Sequence, residues 1–279
     1  MLTLALPAAA QDDETEAREI IATAYEQLAD TRYSYTLTMD TTNSVTDEEG
    51  QTSGVRQLYE IEGEAIGADY ADTITLTVTP LENEIDVQAG RISRVRVDDR
   101  FYVRLGTLLS QQLGVADVWW QMQDLLDEIG VDNVQSFAAQ QLEGIPTPLA
   151  TTLDDALIRS VTELEPDDID GVPVRVFEVE MKAIEMMASA VEGTMADQIT
   201  AFLENLPLTL QSELSIVYRL SIGTEDGQLY RSESEAYTYL PFIEFGRGND
   251  PDFDIENTGV VVIDIDYTDA PESIDTPEI

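Results

Sequence analysis

The chain has 279 residues, 43% of them hydrophobic, and carries 14 basic against 56 acidic residues for a formal net charge of -42. That is enough apolar material for a sizeable core, and the charge makes nucleic acid and anionic headgroups poor electrostatic partners. Cysteine and histidine are absent, which removes disulfides, thiol nucleophiles, thiolate and imidazole metal sites and a histidine general base. No catalytic residue, metal site or cofactor is expected. The acidity reads as solubility, in a medium whose salt screens the self-repulsion.

At the start, LTLALPAAA followed by Gln11 has the apolar run and the small-residue junction Ala8-Ala9-Ala10 of a secretory signal, without a basic region before it. Residues 1–10 are therefore expected to be a signal remnant, with an exported mature chain from about Gln11; a frayed apolar terminus is the alternative. Residues 13–30 place Ala17, Ile20, Ile21, Ala24 and Leu28 on one helical face, with acids expected in the first turn. The stretch RYSYTLTMDTT then alternates Tyr33, Tyr35, Leu37 and Met39 with polar residues, the period of a half-buried strand.

That period continues through Val55, Gln57, Tyr59 and Ile61, through Ile74, Leu76 and Val78, and through Val95 and Val97. Asp98-Asp99 forms a tight reversal before Phe101, Val103 and Leu105. Short links between successive strands imply antiparallel pairing, and apolar residues on one side only predict a sheet with one wet face. From 107 to 158 the alternation gives way to short helical stretches, LLSQQLG, DLLDEIG, VQSFAAQQLEG and LATTLDDAL. The stretch also holds both tryptophans, Trp119 and Trp120, which as neighbours cannot both point inward from a strand.

VPVRVFEVEM resumes the strand period, and a helix over about 182–204 sets Ile184, Met187, Val191, Met195, Ile199 and Phe202 at spacings of three and four. ELSIVYRLSI, QLYRSESEAYTYL and TGVVVIDIDYTDA close the chain as strands. The class is α+β: a large bent antiparallel sheet wrapped around helices, in a single domain over 11–279. The pairs Asp98-Asp99, Asp154-Asp155 and Asp167-Asp168 are what chance supplies in so acidic a chain, and they do not mark a carboxylate dyad. Asp250, Asp252 and Asp254 alternate as calcium ligands can, without the glycine and closing glutamate of an EF-hand loop, so a solvated loop is the expected reading.

The order of these elements resembles a known group. The helix leading into YSYTLTM, the hairpin VRVDDRFYVRLG leading into VWWQM, the strand DGVPVRVFEVEM leading into a helix, and the ending VVVIDIDYTDAPESIDTPE are similar to the exported lipoprotein-carrier superfamily of LolA and LppX/LprG type. The resemblance spans nearly the whole mature chain. It implies a half-barrel sheet closing over helices around an apolar cavity for acyl chains. Many members of the mycobacterial branch are anchored through a cysteine at the cleavage site, and this chain has none, which implies a soluble periplasmic, envelope or extracellular form or an anchor outside the sequence.

On that reading the cavity wall is Tyr33, Tyr35, Leu37, Met39, Tyr59, Ile61, Phe101, Val103, Trp119 and Trp120, facing Met186, Met187, Met195 and Phe202. Methionine adapts to irregular apolar partners, which suits variable acyl chains. Taken one at a time, each of these residues reads first as core, and only the resemblance lifts the set as a whole to a cavity wall. Two functions follow: a monomeric, non-enzymatic carrier of lipid or acyl chains, with a membrane surface or an envelope transport protein as further partner, or a structural envelope module with a filled core.

Overall fold

The computed structural model describes residues 8–47, 49–82, 85–129, 153–183, 186, 214–240, 253–268 and 270–279. Among the described residues twelve strands form, the period-two segments supplying most of them: β1 (Arg32–Asp47), β2 (Thr52–Ile66), β3 (Asp69–Pro80), β4 (Val87–Val97), β5 (Arg100–Leu105), β6 (Trp119–Gln121), β7 (Ile158–Glu163), β8 (Asp167–Ile169), β9 (Val172–Met181), β10 (Leu214–Gly223), β11 (Leu229–Leu240) and β12 (Phe253–Asp266). Among the described residues three α-helices accompany them, α1 (Ala8–Asp30), α2 (Thr107–Leu113) and α3 (Met122–Glu128).

The strands pair in the order β6-β5-β4-β3-β2-β1-β12-β11-β10-β9-β7, with β8 also on β9. The sheet is antiparallel and unclosed, so the α+β class and the one large sheet agree with the expectation from sequence. By contact density the chain divides into two compact units. The first comprises residues 1–26, 42–54 and 153–261, and the second residues 27–41, 55–152 and 262–279.

Tight hairpins fix the registers. Asp98 and Asp99 have φ of 50° and 60°, the left-handed pair of a two-residue reversal whose twist matches its strands. Asp170-Gly171 repeats the device, with φ of 52° and 88°, between β8 and β9. In the first unit, β9 lies between β10 and β7, and Val174, Phe177 and Val179 are fully buried there. Val176 is buried as well, so β9 hides side chains on both of its faces.

Several expectations are corrected. Helix α1 starts at Ala8, because three alanines are good helix formers and extend it, so its first turn holds no acid. Of its expected apolar stripe Ala17, Ile21, Ala24 and Leu28 are buried and Ile20 is half-buried, with Tyr25 added to the buried side. The stretch after β5 is not purely helical, since Trp119–Gln121 pairs with β5. Strands β7 and β8 were not anticipated; β7 falls where helix was expected to end, and its two buried residues, Ile158 and Val161, show no alternation.

The single wet face is also wrong for the β4–β5 hairpin. Val95 lies opposite Tyr102 and Arg94 opposite Val103, so Val95 and Val97 project to the side opposite Phe101, Val103 and Leu105. A shift of one residue in strand parity exchanges the faces, and both faces of this hairpin are apolar.

Candidate functional site

The candidate site is the face of β1–β5 in the second unit whose β4–β5 end α2 and α3 cover. Cross-strand register aligns Ile61, Ile74, Ile92 and Leu105 in one row. Val103, Leu105, Met122 and Leu125 form a buried cluster against which Ile92, Phe101, Leu109 and Trp120 pack. Gly90 makes this docking possible: a Cβ there would meet the Leu109 side chain at 2.5 Å. Gly114, with φ of 73°, ends α2, and its N–H donates to the Ser110 carbonyl.

Aromatic side chains continue the face. Tyr33 and Tyr35 have ring centroids 6.2 Å apart in a tilted arrangement, and Tyr267 meets Tyr33 edge-on at 6.2 Å. Burial pushes the Tyr33 and Tyr59 hydroxyls above the ordinary tyrosine range.

Within this apolar face lies an ion pair. Asp72 and Arg94 are cross-strand partners whose side chains are 0% and 1% exposed. Arg94 Nε donates to Asp72 Oδ1 at 2.9 Å and Nη2 to Oδ2 at 2.6 Å, while the Tyr35 hydroxyl donates to Oδ2 at 2.8 Å. The guanidinium also lies 5.4 Å from the centroid of the Tyr70 ring. Gly63 leaves room for this arrangement, since a Cβ there would come within 2.7 Å of both the Tyr35 ring and Asp72.

Burial, with the Asp72 charge and hydrogen bond adding to it, holds the Tyr35 hydroxyl well above its usual range. For Arg94, burial works to lower the pKa, and the hydrogen bond and charge of Asp72 outweigh it, leaving the group more basic than usual. The sequence signal for the pair is its spacing: Asp72 stands two residues before Ile74, and Arg94 two after Ile92, in inward-facing positions of adjacent strands.

The opposite face of the hairpin carries a second cluster of Val95, Val97 and Tyr102, with Ala71, Trp119 and Ile274 packed against it. The adjacent tryptophans therefore diverge. Trp120 lies with Val103 under the helices, its Nε1 donating to the Ala116 carbonyl at 3.1 Å, and Trp119 lies on the other side of the sheet.

Of the residues expected to line a cavity, Tyr33, Tyr35, Leu37, Tyr59, Ile61 and Val103 are buried. Met39, Phe101 and Trp120 are half-buried on or beside that face, and Met186 is half-buried. Trp119 belongs to the other cluster. Met187, Met195 and Phe202, with nearly all of the expected 182–204 helix, lie outside the described residues, as do Asp250 and Asp252. Asp254 belongs to β12 and accepts the Tyr239 hydroxyl at 3.1 Å. Among the described residues no three acidic side chains gather into a metal site, and no helix is long and apolar enough to cross a membrane.

No family model and no curated protein matches the chain. Among solved structures it is similar to LprF from Mycobacterium bovis at 11% identity and a TM-score of 0.40, over 95% of this chain and 98% of that one. It is also similar to the lipoprotein LppX from Mycobacterium tuberculosis (10% identity, TM-score 0.38, 93% and 100% coverage). A third is a LolA superfamily protein from Nitrosomonas europaea (12% identity, TM-score 0.25, 93% and 97% coverage).

Proposed function

We propose that the protein is an exported, non-enzymatic carrier, monomeric in solution, that holds lipid or other acyl chains against the helix-covered face of β1–β5. The observation that carries this reading is the incomplete cover of that face. Beside its buried wall, Met39, Leu76, Phe101 and Trp120 are large apolar side chains that remain only half-buried. Apolar surface left in contact with water is what an acyl chain would cover at a gain of roughly 25 cal/mol per Å². A flexible methionine and amphipathic aromatic rings tolerate chains of varying shape. Delivery to a membrane surface or to an envelope transport protein completes the proposal.

A specific observation favours a second reading, a structural module with a filled core. Tyr33, Leu37, Ile61 and Val103 are 0%, 1%, 1% and 0% exposed, so protein atoms already cover most of the wall. The two tryptophans separate the readings. With Trp119→Phe, Trp120 alone reports on the helix-covered face, and with Trp120→Phe, Trp119 alone reports on the other. A brominated fatty acid added to delipidated protein is expected to quench Trp120 and spare Trp119. If neither is quenched, and native mass spectrometry of the protein from its own envelope finds no copurifying lipid, the filled module stands.

A further inference from the structure

The charges of the candidate face differ from those of the rest of the chain. Cross-strand register sets two further rows beside Ile61, Ile74, Ile92 and Leu105: first Gly63, Asp72, Arg94 and Val103, then Ala65, Tyr70, Arg96 and Phe101. The exposed acids of β2, Glu60, Glu62 and Glu64, stand at the other parity and project from the opposite face. At the inward positions of β2–β5 the charged residues are therefore Asp72, Arg94 and Arg96. The first two close on each other in the interior. What is left to this face is the positive charge of Arg96, in a chain of net charge -42.

That charge stands where the apolar wall meets water. The Arg94 side chain is 1% exposed, and that of Arg96, two residues along the same strand, is 45% exposed. Its cross-strand neighbours are aromatic on both sides, Tyr70 on β3 and Phe101 on β5, and each is half-buried. Phe101 packs against the Val103 and Leu105 cluster, as Trp120 does, so the guanidinium borders the acyl face directly. Its ion-pair partner is Asp99 of the β4–β5 reversal, at 3.3 Å, with the Asp99 side chain 94% exposed. Water screens such a pair to little net worth, so an incoming oxyanion can replace it. The α3 acids Asp124, Asp127 and Glu128 are exposed, and none pairs with Arg96 among the described residues.

We propose that Arg96, between Tyr70 and Phe101, binds the head of the carried acyl ligand, and that this ligand is a singly charged anionic amphiphile whose head is a carboxylate or a phosphodiester. A guanidinium pairs with two oxygens of either group through parallel hydrogen bonds, and the flanking rings offer apolar surface to the first carbons of the chain. The single charge left on the face matches a single charge on the head. A doubly charged head would leave its second charge uncompensated in the field of an acidic chain. The net charge disfavours anions at a distance, but salt at 0.1 M screens it beyond about 10 Å, and at contact the local charge decides. The inference rests on the carrier reading and specifies its ligand.

The test uses the full chain with Trp119→Phe, in which Trp120 reports on this face. Dibromostearate and its methyl ester carry the same quenching chain and differ in the charge of the head. The acid is expected to bind more tightly than the ester. Arg96→Gln should weaken the acid about tenfold, equivalent to about 1.4 kcal/mol, and leave the ester unchanged. Asp99→Asn keeps a residue suited to the left-handed φ of 60° at that position and frees Arg96 from its partner, so it should tighten the acid severalfold and spare the ester. A lysophosphatidylglycerol with the same brominated chain separates the two heads, since the one that Arg96 holds is the one that loses affinity in Arg96→Gln. Acid and ester that bind alike in the parent and in both variants overturn the anionic head and leave the carrier reading standing. If neither binds, the carrier reading falls and this inference with it. Where Arg96→Gln fails to fold, an Asp99→Asn chain with an unchanged preference for acid over ester overturns the proposal.

Discussion

Arg94 in the second unit and Arg219 in the first occupy matching positions, each on a strand with a carboxylate directly across the ladder. Arg94 faces Asp72, and Arg219 stands between Glu178 and Glu233. Their surroundings differ. The Arg94 side chain is 1% exposed and grips Asp72 through two bonds, whereas that of Arg219 is 51% exposed and approaches both glutamates at 3.7 Å. Water screens the second arrangement to near neutrality. In the first, the attraction is strong because water is excluded, and for the same reason a lone member is costly. A cross-strand arginine–carboxylate pairing is therefore a structural commitment where it is buried and a solubility feature where it is exposed.

The largest effect expected from this contrast is that of Arg94→Met, which strands the Asp72 charge in an apolar face and should cost about 3–5 kcal/mol in urea denaturation. The double variant Arg94→Met, Asp72→Leu should recover most of that loss, since it removes both charges; a double variant as unstable as the single one would show that the ion pair is not the source of the cost. Tyr35→Phe leaves the Arg94–Asp72 pair intact and removes one hydrogen bond to a charged group, for a loss of about 1.5–3 kcal/mol. Smaller cavity effects are absent because the ring is kept.

The same tyrosines predict how stability responds to alkali. Burial raises the Tyr33 and Tyr35 hydroxyls above the ordinary tyrosine value of about 10 in the folded chain. The unfolded chain therefore loses these protons first as pH rises. Their contribution is complete below the unfolded pKa of about 10 and is lost as pH climbs from there toward the folded values. Urea midpoints should be insensitive to these groups up to that point and fall above it, with a shallower fall in Tyr35→Phe. The smallest effect belongs to Arg219→Ala, expected to change stability by no more than about 0.5 kcal/mol, with that difference vanishing in molar salt.

Much of the architecture was legible in the sequence because a strand or an amphipathic helix is written in local periodicity. Tyr33, Tyr35 and Leu37 are buried at the alternate positions where their spacing placed them, and Asp98-Asp99 turns the chain where two short polar residues interrupt the pattern. Residues 95–97 were misread for a physical reason: in the run RISRVRV, apolar and charged residues occur at both parities, so alternation does not say which parity faces the helices. Register with β3 and β5 decides it, and register is a property of neighbours. Trp119–Gln121 is a three-residue strand with no period of its own, formed because β5 has an edge to pair.

The candidate site divides along the same line. The sequence by itself determined that aromatic and aliphatic residues of β1, β2 and β5 would be hidden from water, since burial of apolar surface is favourable whatever the partner. It also determined the chemistry the chain lacks, because no fold supplies a thiol or an imidazole. Only the tertiary structure decided that Asp72 and Arg94 meet inside the apolar face, that Trp119 and Trp120 serve opposite sides of one sheet, and that Ile274 packs with Trp119 on the second. Each of these joins residues far apart in the sequence or turns on which face of a strand is covered, and such contacts are fixed by strand register and packing rather than by any local pattern.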